Sequence, residues 1–204
     1  MSISCTGQLC TITGAGRQAP DTSDVALIRL IAAGDRQAMQ LLFARHNVRV
    51  FRFLVRFVRD TSAAEDLVNE VFLDVWRQAG RFEGRSQVTT WLLTLARNKA
   101  LSALRRRSIE ELDDKAVAAI EDPQNNPEAT IQNRQTSEIL INCLTQLSPP
   151  HREVIDLVYY HEKSIDEVAD ITGVPRNTVK TRMFYARRRI AELMSAQGIE
   201  RVIV

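Results

Sequence analysis

The side chains best suited to recognition chemistry lie between positions 176 and 188. The helix predicted here continues to about Met194 and, at about 100° per residue, has an apolar stripe consisting of Val179, Met183, Ala186, Ile190 and Leu193. Its outer face consists of Arg176, Asn177, Lys180, Thr181, Phe184, Tyr185 and Arg188. The pattern predicts a helix that reads double-stranded DNA. In a major groove, lysine and arginine can bind guanine, asparagine can bind adenine, and threonine or phenylalanine can contact a thymine methyl group.

A second helix and a tight turn must position this reading helix. Ser164 and Glu167 have the spacing of a capping box, which opens a short helix over 165–171. Gly173 allows the positive φ of a tight turn, and Pro175 stands where the next helix begins. This is the spacing of a helix-turn-helix motif. A structural motif without a DNA partner is the alternative, which the excess of basic residues from here to the end of the chain disfavours.

A second basic segment lies in the middle of the chain, where residues 97–107 contain five basic residues and no acidic one. On the helix predicted over 91–107, Trp91 lies on the same side as Lys99 and Arg105. An aromatic ring on a basic face is typical of a platform for single-stranded nucleic acid, where rings stack on bases and cations follow phosphates. Alternatively, Trp91 folds back onto the preceding loop or the core. The sequence leaves both interpretations open.

A third group of polar side chains lies on the helix predicted over 62–78, which a capping box of Ser62 and Glu65 opens. Its apolar stripe consists of Leu67, Val68, Val71, Phe72 and Val75. Leu73 falls outside this stripe, on a polar face formed by Asp66, Asn69 and Glu70. Single exposed leucines are common on protein surfaces, but this one could equally centre a contact with a partner. Both interpretations stay open.

Composition limits the classes of function. The 204 residues carry a formal net charge of +2, and 45% of them are hydrophobic, which is typical of a folded chain. No apolar run is long enough to span a membrane, and the first residues lack a signal-peptide pattern, so we expect a cytoplasmic protein without membrane insertion. The three cysteines and three histidines lack ligand spacing, and no histidine neighbours a plausible nucleophile. We therefore expect no metal, no cofactor and no enzymatic activity.

These segments predict an all-α protein of two small helical domains joined by an acidic linker. We expect a disordered leader over 1–23, an N-terminal domain of three or four helices over 24–107, the linker over 108–134, a C-terminal four-helix domain with the helix-turn-helix over 135–195, and a tail over 196–204. The first long helical stretch should break near Gly34 and Asp35. Prolines and a strong excess of acidic residues characterise the linker, which would avoid a polyanion that both domains bind.

Taken together, the motifs resemble the extracytoplasmic-function sigma factors, the compact two-domain group of the sigma-70 family. Four stretches carry the resemblance: AEDLVNEVFLDVWRQ (64–78), FEGRSQVTTWLLTLARNKALSALRRR (82–107), LSPPHREVIDLVYYHEKSIDEVADITGVP (147–175) and RNTVKTRMFYARRRI (176–190). The resemblance covers residues 24–193. It implies a promoter-specificity subunit that directs RNA polymerase to promoters, reads the minus-thirty-five and minus-ten elements and stabilises the melted strand, without covalent chemistry of its own.

The resemblance also implies which residues act, in three sets. The docking set, which would bind the polymerase, consists of Asp66, Asn69, Glu70 and Leu73. The melting set, which would capture a flipped base of the minus-ten element and hold the non-template strand, consists of Phe82, Arg85, Ser86, Trp91, Asn98, Lys99 and Arg105. The recognition set, which would read the minus-thirty-five element, consists of Arg176, Asn177, Lys180, Thr181, Arg182, Phe184, Tyr185 and Arg188.

The partners implied by the resemblance are core RNA polymerase, promoter DNA and an anti-sigma factor. The polymerase contacts would be the clamp helices of its largest subunit and the flap of its second-largest subunit. A stand-alone helix-turn-helix regulator is the alternative function, which predicts operator binding without polymerase. Many relatives have an acidic residue in place of Arg85, so the minus-ten sequence stays open. Asn177 and Tyr185 leave the minus-thirty-five sequence open as well.

Overall fold

The structure is a computed structural model that describes residues 23–110, 139 and 142–197. Within these ranges the chain is helical and contains no strand. The helices are α1 (Asp24–Ala32), α2 (Arg36–Val58), α3 (Thr61–Gln78), α4 (Val88–Glu110), α5 (Pro149–Ile155), α6 (Ile165–Thr172) and α7 (Arg176–Ser195), with a 3-10 turn at Ala79–Arg81 and a π-helical turn at Asp156–Tyr160. The predicted all-α class with two helical domains is confirmed. The leader and almost all of the linker and tail lie outside the described residues.

Side-chain caps set the starts of the N-terminal helices. Asp35 caps α2 by accepting from the Gln37 amide at 2.7 Å, and the preceding Gly34 takes the left-handed turn at φ +89°. The predicted break between α1 and α2 therefore lies where expected. The predicted capping box that begins at Ser62 is wrong. Asp60 caps α3 instead, accepting from the Ala63 amide at 3.0 Å, so the helix starts one residue before Ser62.

The core of the N-terminal domain lies between α2, α3 and α4. The stripe predicted for α3 is buried as expected, and so are the apolar positions Leu92, Leu93, Ala96 and Ala100 of α4. The helical spacing of apolar residues predicts a core-facing stripe on α2, consisting of Leu41, Leu42, Val48, Phe51, Leu54, Val55 and Val58. This prediction is partly wrong, because Leu41 and Val48 are exposed. The buried face of α2 is instead rotated towards Ala38, Leu42, Val50, Phe53 and Leu54. A mostly apolar 23-residue helix offers more than one stripe, and packing against two neighbours selects among them.

The C-terminal domain is assembled around the helix-turn-helix. Ser148 as N-cap and Pro149 in the first turn predict a helix that runs to about Tyr160. In the structure α5 starts at Pro149, but the Ser148 side chain makes no capping hydrogen bond, and α5 ends at Ile155, where a π-helical turn follows. The capping box of Ser164 and Glu167 is present, with both reciprocal hydrogen bonds. Gly173 ends α6 at φ +68°, a left-handed conformation that residues with a side chain disfavour.

The two domains pack against each other through α4 and α6. Helix α6 is the first helix of the helix-turn-helix, and α7 packs on both α5 and α6. Consequently α7, the helix predicted to read DNA, turns its outer face away from the other described helices. None of the described helices is long and apolar enough to cross a membrane.

Candidate nucleic-acid and polymerase interfaces

The outer face of α7 is open to solvent and rich in aromatic and basic groups. Phe184 is 62% exposed and Tyr185 is 51% exposed, although Val179, Met183 and Ala186 on the same helix are buried. The two aromatic rings meet edge to face with centroids 5.4 Å apart. Large exposed aromatic groups on a helix that carries its own buried stripe indicate a contact surface, since burying them would be favourable. The structure therefore brings the recognition set together on one accessible surface.

The basic groups of this face have weak partners within the protein. Arg176 pairs with Asp166 at 3.0 Å, and both side chains are more than half exposed. Arg188 pairs with Glu192 at 3.1 Å, and hydrogen bonds from Arg188 and Arg189 lower the pKa of Glu192. Exposed ion pairs contribute little to stability, so these arginines can exchange a carboxylate for a phosphate or a base at low cost.

His151 is a residue of this surface that the sequence analysis missed. Its ring stacks on that of Tyr185 with centroids 6.5 Å apart. It also lines a cleft of about 270 Å³ with Asn177, Thr181 and Arg182 of the recognition set. His151 belongs to α5, so its place beside α7 depends on tertiary packing, and nothing in the local sequence signals it.

The melting set is more dispersed. Phe82 and Trp91 contact each other with ring centroids 5.1 Å apart, and both are half-buried against the core. The tryptophan therefore folds back onto the loop, as one of the two interpretations predicted, while part of its ring stays accessible. Arg85 of the loop is exposed and pairs with Glu83 at 2.6 Å. Asn98 and Arg105 are exposed on α4, and Ser86 is half-buried.

Lys99 has a different environment from the one we predicted. Its ammonium group lies 3.0 Å from Asp74 Oδ2 and 3.3 Å from Glu70 Oε2, so it links α4 to α3. The hydrogen bond to Asp74 raises the pKa of Lys99, although burial opposes this. Because two carboxylates already neutralise the ammonium, a phosphate would have to compete with them. The structure thus places Lys99 between the melting set and the docking set, and not on the open face of α4.

The docking set forms one exposed strip along α3. Asp66 and Asn69 are exposed, Glu70 is half-exposed and Leu73 is 53% exposed, as predicted for its place outside the apolar stripe. Trp76 extends the strip by one helical turn and is 38% exposed, a feature that the sequence analysis missed. Its position three residues after Leu73 was the available signal. An apolar pair framed by acidic and amide groups is the composition of a protein-protein contact.

Comparison with known proteins agrees with this division into two helical units. The model of sigma-70 region 2 matches residues 42–109, and that of sigma-70 region 4 matches residues 137–190. The RNA polymerase sigma factor CarQ of Myxococcus xanthus is 34% identical over 169 residues, which cover 82% of this chain and 95% of the relative. The chain is an extracytoplasmic-function sigma factor of the sigma-70 family.

Other relatives of this sigma factor are consistent with that assignment. The ECF RNA polymerase sigma factor SigK of Mycobacterium tuberculosis is 29% identical over 186 residues, covering 88% of this chain and 96% of the relative. Among solved structures, the sigma factor RpoE of Bartonella quintana, in complex with the anti-sigma factor NepR, aligns with a TM-score of 0.65 at 26% identity over 76% of this chain and 96% of that chain. CnrH in complex with the cytosolic domain of CnrY has the same fold, with a TM-score of 0.62 at 22% identity over 85% of this chain and 97% of that chain.

Family membership establishes the predicted function at the level of the whole protein. A sigma factor of this type directs core RNA polymerase to promoters and is a transcription initiation factor. The comparisons give no support to a stand-alone helix-turn-helix regulator.

Proposed function

We propose that this sigma factor reads the minus-thirty-five element of its promoters with the outer face of α7. The observation that carries the proposal is the exposed surface of the recognition set, in which Phe184, Tyr185 and Arg188 project from a helix packed on the opposite side. The helix would lie in the major groove, where Lys180 and Arg176 can donate to guanine and Asn177 can pair with adenine. His151 and Arg182 would approach the adjacent DNA backbone from the cleft that they line.

The N-terminal domain would act on the minus-ten element. In this proposal the loop before α4 captures a flipped base, and the accessible part of Trp91 stacks on the melted strand. Arg85 and Arg105 would follow the phosphates because both are exposed. Lys99 would act indirectly, by fixing α4 against Glu70 and Asp74 of α3, so it leaves the melting set as a direct DNA contact.

The docking set on α3 would bind core RNA polymerase. Leu73 and Trp76 are the two apolar anchors, and Asp66 and Asn69 supply polar contacts at their rim. Core polymerase would also make a second contact, through the flap of its second-largest subunit, with the C-terminal domain. We also propose residues 24–107 and 135–195 as the two functional domains, acting in the cytoplasm where polymerase and promoters meet.

An anti-sigma factor is a further proposed partner. The similar structures were solved as complexes of RpoE with the anti-sigma factor NepR and of CnrH with CnrY. In this chain the exposed apolar groups on α3 and α7 are surfaces that such a protein could cover. Covering either surface would prevent initiation, because both polymerase docking and element reading are required.

The experiment that tests this function is transcription by purified core polymerase on a fragment library of the host DNA, with start sites mapped by sequencing. With the sigma factor added, we expect discrete starts preceded by two shared elements at a fixed spacing. The matched control is a variant with Arg176→Ala and Lys180→Ala, which should lose starts that depend on the upstream element. Tight binding to duplex DNA without polymerase, combined with no starts, would contradict the proposal.

A further inference from the structure

The cleft between α5 and α7 has the composition of a binding site for an anion. It has a volume of about 270 Å³. Imidazole, amide, hydroxyl and guanidinium groups line it, and none of the lining side chains is a carboxylate: His151, Asn177, Thr178, Thr181, Arg182 and Tyr185. Because all of these groups can donate hydrogen bonds, the cleft favours a ligand that is rich in acceptor oxygens.

Arg182 supplies the permanent positive charge of this cleft. The exposed arginines Arg176, Arg188 and Arg189 of the same helix each pair with a carboxylate. Arg182 is half-buried and makes no ion pair within the ranges that the structure describes. A guanidinium without a counter-charge can bind a phosphate through two parallel hydrogen bonds, so its charge is available to DNA.

His151 adds a second cation whose charge depends on pH. Its ring stacks on that of Tyr185 with centroids 6.5 Å apart and an angle of 27° between the planes, which holds the imidazole at the cleft. From α7, the phenol of Tyr185 and the guanidinium of Arg182 are the titratable and charged groups that face it. An imidazole gains its positive charge between about pH 8 and pH 5, so the cleft has one cation at high pH and two at low pH.

The acidic groups closest to His151 in sequence are engaged elsewhere. Glu153 of α5 and Asp156 of the π-helical turn are buried, and each pairs with an arginine of the N-terminal domain. The neighbouring Arg152 donates to backbone carbonyls at the end of the preceding segment. Since no carboxylate lines the cleft, a bound phosphate would supply the negative charge that favours the protonated imidazole.

The position of the cleft places it beside the DNA backbone. When the second helix of a helix-turn-helix lies in the major groove, the helices packed next to it lie over the phosphates at the edge of the groove. His151 belongs to α5, which packs on α7, so it would meet the backbone and not the base edges. Contacts of this kind set affinity and position without reading sequence.

We propose that His151 and Arg182 form a proton-linked phosphate clamp, which binds one DNA backbone phosphate beside the minus-thirty-five element most tightly when His151 is protonated. DNA binding by α7 then takes up a proton, and its affinity rises as the pH falls through the range in which imidazole becomes charged. The inference rests on the proposed function, because the clamp meets a phosphate only if α7 lies in a DNA groove.

Two substitutions of His151 separate its charge from its size. His151→Gln keeps a hydrogen-bond donor but has no charge at any pH, whereas His151→Lys is charged throughout the range near neutrality. The matched control is His46→Gln on α2, where the glutamine amide can still donate to Asp24, the partner of His46 at 2.7 Å. Circular dichroism of each full-length protein at pH 6 and pH 8 checks that its helix content is unchanged.

The measurement is binding of the full-length proteins at pH 6 and pH 8, at several salt concentrations, to a minus-thirty-five duplex from a promoter that the transcription experiment identifies. Wild type and His46→Gln should bind about tenfold more tightly at pH 6, because a charge-assisted hydrogen bond is gained. Their slope of log K against log salt should be steeper by about 0.9 at pH 6, for one further phosphate contact.

The two variants of His151 should behave in opposite ways. His151→Gln should show the shallow slope and the weaker affinity at both pH values, and His151→Lys the steep slope at both. If His151→Gln kept the same pH dependence as wild type, the clamp would be overturned.

A scrambled duplex of equal length and composition separates failure of the clamp from failure of the proposed function. Phosphate contacts carry no sequence information, so the pH effect should appear on both duplexes. Equal affinity of wild type for the two duplexes would contradict reading of the minus-thirty-five element by α7, while a pH effect that His151→Gln abolishes would still support the clamp. A preference for the promoter duplex with the same slope at pH 6 and pH 8 would overturn the clamp and leave the proposed function standing.

Discussion

The two helices proposed to read DNA differ in what their basic residues contact. On α7, arginines such as Arg176 and Arg188 pair with carboxylates that are themselves about half or more exposed. On α4, Arg97 pairs with buried Glu153, and Lys99 is held between two acidic residues of α3. Both segments are strongly basic in sequence. The charge of α7 is available to a polyanion as the protein stands, whereas much of the charge of α4 is committed to protein contacts.

The difference shows that the net charge of a segment does not measure its capacity to bind DNA. A cation whose carboxylate partner is buried must break a contact that is costly to leave unsatisfied, while an exposed pair exchanges partners at little cost. On α4, fewer basic side chains remain available to DNA. Arg105 is one of them, because it is exposed and makes no ion pair within the described part of the chain. This contrast between α4 and α7 has four testable consequences, which differ in the size of the expected change.

The largest change should come from removing the available cations of α7. We expect Arg176→Ala combined with Lys180→Ala to lower transcription that depends on the upstream element by about 100-fold, at ~1–3 kcal/mol for each lost contact. Polymerase affinity should stay unchanged, because neither residue belongs to the docking set. Run-off transcription and polymerase binding measure the two effects. Arg189→Ala is the control. Like Arg176, Arg189 pairs with an exposed carboxylate, that of Glu192, but it lies outside the recognition set. An equal loss in this control would contradict the assignment of a specific face.

The second consequence concerns the docking set on α3, which is proposed to contact the polymerase and not the DNA. Leu73→Asp should weaken polymerase binding by about tenfold or more, because it places a charge at the centre of an apolar contact, while binding of the isolated protein to minus-thirty-five duplex stays intact. Val48→Asp is a closely matched control, as Val48 on α2 is also 53% exposed. Fluorescence titration with core polymerase provides the affinities. If both variants lost affinity equally, α3 would not be the specific docking surface.

A third prediction sharpens the comparison within α4 itself. Arg105→Ala should reduce the salt dependence of binding to single-stranded minus-ten DNA, lowering the slope of log K against log salt by about 0.7 for one lost phosphate contact. Lys99→Met should leave that slope unchanged and lower stability by about 1 kcal/mol, because it removes the link to Glu70 and Asp74. Binding isotherms at several salt concentrations and urea unfolding separate the two outcomes. A reduced slope for Lys99→Met would return Lys99 to the melting set.

The smallest change is the pH dependence of the contact between the domains. The pKa of Glu167 is lowered to about 2 from an ordinary value of about 4.5. Its carboxylate accepts from Thr90 of α4 at 2.6 Å. The ionised form therefore stabilises the contact between the domains fully above about pH 4.5, and this contribution is lost as the pH falls from there through about 2. The radius of gyration should rise in this range in wild type and be less sensitive to pH in Glu167→Gln. Circular dichroism at each pH is the control for helix content, and identical pH profiles in both proteins would contradict the role of Glu167.

Local signals predicted the elements well. The capping box at Ser164 and the left-handed glycine at 173 fix α6 and its turn, and each depends on residues close in sequence. The exposed position of Leu73 followed from helical periodicity alone. Where two local signals competed, the sequence was insufficient: Asp60 and Ser62 both suit a helix start, and the carboxylate at position 60 is the cap in the folded chain.

Contacts between distant residues could not be predicted from one sequence. Thr90 and Glu167, or Arg56 and Asp156, are far apart along the chain and carry no spacing pattern that would join them. The same limit explains why Lys99 was assigned to DNA, since its partners lie on another helix. The functional surfaces were therefore predictable as faces of single helices. The ion pairs that side chains on those faces make with other helices were not predictable.

The separation between the domains, in the free protein and on polymerase, most directly tests the proposal that α4 and α7 read two separate promoter elements. Dyes attached at Ala44→Cys on α2 and Ser195→Cys at the end of α7, both exposed positions, would report this distance by energy transfer once the native cysteines are replaced. We predict a short distance in the free protein, because α6 packs on both α4 and α7. On core polymerase we predict an increase of several tens of ångströms, because two elements centred about 25 base pairs apart are separated by about 85 Å on straight B-form DNA. An equally long distance in both states, or an equally short one, would contradict the proposal that domains in contact in the free protein read two separate elements on polymerase.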